Sequence, residues 1–94
     1  MFFVYLIVSK FKKKTISYVG YTNNLKKRLV LHNSSKGAKF TRGNKWILIY
    51  YKQLKSKSEA MKEEYKLKKN YILRKKIKNK FLLNEYKNIY NSSL

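Results

Sequence analysis

The chain contains no cysteine, no proline and no aspartate, and only three glycines and one histidine. Each shortage removes a class of protein. Without cysteine there is neither a disulfide scaffold nor a thiolate metal site, so secreted disulfide-rich modules and zinc ribbons are excluded. A single histidine and no aspartate exclude a cage of several histidines or many carboxylates. Long apolar runs are missing as well. The opening stretch Met1-Phe2-Phe3-Val4-Tyr5-Leu6-Ile7-Val8 is far short of the ~20 apolar residues of a membrane span. No positive region precedes it and no small-residue cleavage site follows, so it does not read as a signal peptide. An intracellular chain without membrane attachment is the expectation.

Acidic residues are the most telling shortage. Four Glu face 24 Lys and Arg, which gives a net charge of +20 over 94 residues. Solubility of a small domain asks for a net charge of only about 2–8, and self-repulsion at higher charge destabilises the compact state. A polyanionic partner accounts for the excess, nucleic acid being the commonest and an anionic membrane surface the rival. The chain is not a disordered basic tail, because 16% of its residues are aromatic and 44% hydrophobic. No repeat or linker divides it. A single domain over residues 1–94 is expected, with one modest core.

Residues 2–9 are β-branched and aromatic, which suits a strand buried on both faces. Lys10–Thr15 suits a hairpin connection, and Ile16–Tyr21 a second, antiparallel strand. Thr22-Asn23-Asn24 offers capping side chains before a helix over about 24–32, with Leu25 and Leu29 on one face. Asn33–Lys45, rich in Gly, Ser and cations, reads as a mobile loop, and Trp46–Tyr51 as a third strand. Ser56-Lys57-Ser58-Glu59 is a capping box opening a helix over about 57–70. From Tyr71 onward Leu73, Ile77 and Phe81 predict a third helix, frayed at Asn91–Leu94. The order β-β-α-β-α-α makes an α+β fold, a three-stranded antiparallel sheet flanked by helices.

Some residues break the local pattern. In the second helix one stripe reads Ala60, Glu64, Leu67, Tyr71, which turns Glu64 toward the core. Glu59 and Glu63 fall on the solvent side. The ordinary reading of Glu64 is an acid paired with a nearby cation at the edge of the stripe. Arg28 and His32 share one face of the first helix, where a lone His is commonly a surface or core-edge residue. Tyr5 and Tyr18 lie on the two hairpin strands, where tyrosine is core by default. Gly20 permits a positive φ, a close approach, or merely a turn.

Together these positions resemble the GIY-YIG nuclease family, in its small stand-alone (YhbQ-like, UPF0213-like) branch. Phe3-Val4-Tyr5 resembles the first motif, with the Tyr kept and the Gly-Ile replaced, and Tyr18-Val19-Gly20 the second. Arg28 and His32 stand where the helix after the second motif carries its Arg and His. Lys36-Gly37-Ala38-Lys39-Phe40-Thr41-Arg42-Gly43 resembles the branch's loop, and Ser58–Lys69 its acidic helix, which puts Glu64 at the metal-binding Glu. The resemblance covers about residues 3–80. It implies hydrolysis of DNA phosphodiesters with one Mg²⁺ (or Mn²⁺) held by Glu64, since a hard ion manages with one carboxylate, waters and phosphate oxygens. It further implies that Tyr5 is the general base, helped by Arg28, the metal or His32, and that Tyr18 shares its hydrogen-bond network. Arg28 would then stabilise the phosphorane. Asn79 is a weaker match to an Asn of some relatives.

Lys36, Lys39, Arg42 and Lys45 in the loop, and Lys68, Lys69, Arg74, Lys75 and Lys76 in the last two helices, are the expected phosphate contacts. Such contacts position a backbone and carry no sequence information, so cleavage directed by DNA structure is expected, with any sequence specificity supplied by a partner protein. No small organic cofactor is implied. Two rival readings stand beside the nuclease: a non-catalytic basic nucleic-acid-binding protein that keeps the fold, and a small ribosome-associated structural protein.

Overall fold

The computed structural model describes residues 1–11 and 14–93, with side chains for all of these except Phe11 and residues 86–93. The β-branched and aromatic residues at the start of the chain form strand β1 (Phe2–Phe11), in which every residue from Val4 to Ser9 is buried. That burial follows from its central place. β1 lies between β2 (Lys14–Thr22) and β3 (Ile47–Leu54) in an antiparallel sheet of order β2-β1-β3. The strands of the hairpin run to Phe11 and restart at Lys14, so the connection is shorter than Lys10–Thr15; Lys12 and Lys13 lie outside the described residues.

Alternation along β1 serves two cores. Val4 and Leu6 pack with Val19, and with Ala60 and Leu67 of helix α2 (Lys57–Lys69). Tyr5 and Ile7 pack on the other face with Trp46, and with Leu25 and Leu29 of helix α1 (Leu25–Asn33). Helix α3 (Tyr71–Ser93) adds Ile77 to the α2 side and stays helical through Ser93, where fraying was expected; Leu94 lies outside the described residues. Pairing between β1 and β3 shifts after Leu6, which faces Tyr50 while Ile7 faces Leu48. Among the described residues no helix is long and apolar enough to cross a membrane.

The caps follow the sequence with two differences. Asn24 accepts from the Lys27 amide at 3.0 Å and starts α1. Ser56 accepts from the Glu59 amide at 3.1 Å and starts α2, but Glu59 returns to the Lys55 amide, one residue before the cap. Asn70 breaks the helical path with φ −92° and ψ 75°, and its side chain caps α3 through the Leu73 amide at 3.0 Å. The period of α2 therefore stops at Asn70. Tyr71, expected on the inward stripe, is 63% exposed.

Between α1 and β3 the chain is irregular, as its composition suggested, and it carries internal ties. The segment 33–45 contains a short 3-10 turn, Lys39–Thr41, and Thr41 is fully buried. Its ends are tied together. The Asn33 amide group donates to the Trp46 carbonyl at 3.1 Å and accepts from the Trp46 N–H, while the Trp46 indole donates to the Thr41 carbonyl at 2.8 Å.

Candidate active site

The site is built around the Tyr5 phenol, which β1 aims toward α1. Tyr5 faces Gly20 across the hairpin, and a Cβ at position 20 would overlap the phenol oxygen and ring. Among the described glycines only Gly43 has a positive φ, so what Gly20 supplies is room for Tyr5 rather than a turn. The helical spacing of Arg28 and His32 brings both to the same oxygen. His32 Nε2 lies 2.7 Å from Tyr5 Oη, and Arg28 Nε donates to it at 3.4 Å. His32 is fully buried, which a lone His in a basic chain did not suggest.

The second ring nitrogen of His32 meets Thr41 Oγ1 at 2.8 Å, and that hydroxyl donates to the Ala38 carbonyl at 2.9 Å. The proton positions follow from counting donors. Arg28 can only donate, so the Tyr5 proton has His32 Nε2 as its acceptor. The neutral imidazole then carries its proton on Nδ1 and gives it to Thr41, whose own proton goes to Ala38. The reverse tautomer would leave the buried phenol proton without an acceptor, a cost of about 1–3 kcal/mol. Thr41 thus belongs to the site, and sequence reasoning missed it, because an isolated Thr in a polar stretch carries no periodic signal. Gly37 is of the same kind: a Cβ there would overlap the His32 ring.

Burial dominates the titration of both partners. The Tyr5 phenol is pushed above its usual 10, because desolvation outweighs the hydrogen bond and positive charge of Arg28, and Tyr18 and Glu64 push the same way. The expected lowering by Arg28 is therefore present but overcome. His32 is depressed to about 4, first by desolvation and then by the Arg28 charge, so its imidazole stays neutral near pH 7.

Tyr18 enters differently from expectation. Among the described residues its hydroxyl makes no hydrogen bond to Tyr5 or His32. Its ring meets the His32 ring edge-on, with centroids 5.3 Å apart and planes at 60°. It also stacks with Phe40 at 6.1 Å and 22°.

Glu64 projects from α2 with 18% of its side chain exposed, and pairs with Lys68 Nζ at 2.9 Å. Its charge is close enough to bear on the Tyr5 phenol. Glu63 bridges Lys66 at 3.8 Å, as a salt-bridging acid on that face should, but it is half-buried and also reaches Lys52 of β3 at 3.5 Å. Among the described residues no three of His, Cys, Asp or Glu gather into a metal cage. Glu64 thus pairs with a cation, as the ordinary reading of the stripe has it; a single carboxylate is also a donor that a hard divalent ion keeping its waters can use.

Lys36, Lys39, Arg42 and Lys45 are exposed along the segment after α1, and Lys69, Lys75 and Lys76 on the last two helices. Lys68 is engaged by Glu64. Arg74 is half-buried and donates from Nε to the Leu67 carbonyl at 3.0 Å, which makes it a brace between α2 and α3. Asn79 is exposed on α3 and makes no hydrogen bond to the site among the described residues.

Two tyrosines on paired strands, Arg and His on the next helix, and a Glu on a later one define a domain of GIY-YIG type. The chain belongs to the GIY-YIG family: residues 1–79 match the model of the GIY-YIG catalytic domain. Within the family it is similar to the small UPF0213 proteins. A UPF0213 protein of Oceanobacillus iheyensis is 54% identical over 52 residues, covering 54% of this chain and 60% of that protein. One from Staphylococcus haemolyticus is 42% identical over 65 residues, covering 68% and 78%. A third, from Staphylococcus saprophyticus, is 36% identical over 75 residues, covering 79% and 89%. The match spans little more than half the length of some relatives, such as 53% of the Bacillus pumilus protein. No solved structure matches.

Proposed function

We propose that the chain is a divalent-metal-dependent endonuclease that hydrolyses DNA phosphodiesters, guided by DNA structure rather than sequence. The observation that supports this reading is the Tyr5 phenol oxygen, buried and held between a neutral imidazole nitrogen at 2.7 Å and the Arg28 guanidinium at 3.4 Å. A phenol whose pKa is raised is a poor base alone. Bonded to His32 Nε2, it takes the proton of an attacking water while passing its own to the imidazole, so no phenolate accumulates. The water oxygen bonds to phosphorus, the bond to the leaving oxygen breaks, and solvent protonates the leaving oxygen. Arg28 offers planar, permanently charged donors to the equatorial oxygens as charge grows on them. Glu64 would hold the ion, one Mg²⁺ or Mn²⁺, which when bound polarises a phosphoryl oxygen. The exposed cations hold the substrate backbone.

Glu64→Gln tests the reading. The variant is expected to lose Mg²⁺-dependent nicking of plasmid, flap and branched DNA while binding as tightly as the wild type or more so. If the wild type cuts none of these with Mg²⁺ or Mn²⁺, the nuclease reading fails and a non-catalytic nucleic-acid-binding protein replaces it.

A further inference from the structure

We infer that Phe40 is a stacking platform for an unpaired base beside the scissile phosphate, so that the site favours DNA with single-stranded nucleotides, such as flaps or frayed junctions. Phe40 is 57% exposed, although it sits within the 3-10 turn Lys39–Thr41. Its ring packs against two others. One face stacks on Tyr18 at 6.1 Å and 22°, and Trp46 meets it at 6.2 Å and 44°. The ring is thus braced by two aromatic neighbours while more than half of the residue stays open to solvent. The brace is shared with the site: Tyr18 touches the His32 ring, and the neighbouring Thr41 bonds His32 Nδ1.

The charge around it suits one occupant. Lys39 and Arg42 flank Phe40 and are exposed, and no acid occurs in the chain before Glu59. An aromatic plane framed by cations is the pairing that single-stranded nucleic acid uses, with phosphates on the cations and a base on the ring. In a blunt duplex every base is already stacked inside the helix, so Phe40 offers it nothing comparable. The placement beside the scissile phosphate rests on the nuclease reading; the stacking itself does not.

The test is binding in EDTA, where no cutting occurs. Phe40→Ala is expected to weaken binding of a single-stranded oligonucleotide about tenfold, and blunt duplex of equal length far less. Phe40→Trp is expected to retain the preference, while Lys39→Ala is expected to weaken both substrates alike. Irradiation of the wild type with a flap oligonucleotide carrying 5-iodouracil at its unpaired junction nucleotide is expected to crosslink to Phe40. Equal losses on both substrates for Phe40→Ala, or crosslinking only at other residues, overturn the inference. Absence of cutting with metal overturns the nuclease reading alone.

Discussion

At the scale of residues, the site depends on space and on protons. Gly20→Ala is expected to push the Tyr5 ring off its place, with a loss of about 1–3 kcal/mol in urea unfolding and of any cleavage that depends on the phenol. Thr41→Val leaves the buried Nδ1–H of His32 without an acceptor and is expected to cost about 1–3 kcal/mol, whereas Thr41→Ser is expected to stay close to wild type. Because the chain has a single histidine, ¹⁵N spectra report its tautomer without ambiguity. The wild type is expected to show protonated Nδ1, and Thr41→Val to lose that preference; protonated Nε2 in the wild type would refute the proton assignment. His32 also sets a pH dependence. Its folded pKa, about 4, lies below the unfolded value of about 6.5. Its stability contribution is therefore complete above about pH 6.5 and is lost as pH falls toward 4, since the unfolded chain takes up the proton first. Unfolding midpoints between pH 7 and pH 4.5 are expected to drop less in His32→Gln than in the wild type.

At the scale of elements, what the sequence revealed was whatever repeats with a period. The apolar run of β1, the leucine pair of α1 and the capping box of α2 each carry local signals, and each element formed within a few residues of its expected bounds. Ser56→Ala is expected to cost about 1 kcal/mol, read by thermal or urea unfolding, because the Glu59 amide loses its acceptor. Arg28, His32 and Glu64 were legible because helical spacing put them on shared faces and the order of motifs resembled a family. The misses have other causes. Tyr71 was placed on the inward stripe because periodicity was carried past Asn70, where the backbone turns. Thr41, Trp46 and the tied segment between α1 and β3 were illegible, because side-chain-to-backbone bonds across residues 33–46 leave no pattern in composition. Arg74, expected as a phosphate contact, also bonds the α2 carboxyl end, a tie that only the fold shows.

At the scale of the molecule, the proposed function assigns encounter to charge and chemistry to one buried constellation. The excess of 20 positive charges predicts binding dominated by counterion release. Affinity for DNA is expected to fall by about a thousandfold between 50 and 200 mM salt if about six phosphates are neutralised, and a nearly flat dependence would contradict that account. The four acids are the counterpart: Glu59 serves a cap, Glu63 bridges to the sheet, Glu85 pairs with Lys10 at 2.6 Å, and Glu64 pairs with Lys68 while its charge reaches the Tyr5 phenol. The central claim is that the Tyr5 phenol, backed by His32, moves the proton in DNA cleavage. Tyr5→Phe keeps the ring in its core and removes only the hydroxyl. Measured with Mg²⁺ on flap DNA, the variant is expected to bind like the wild type and to cut at least about a hundredfold more slowly; cutting at the wild-type rate would contradict the claim.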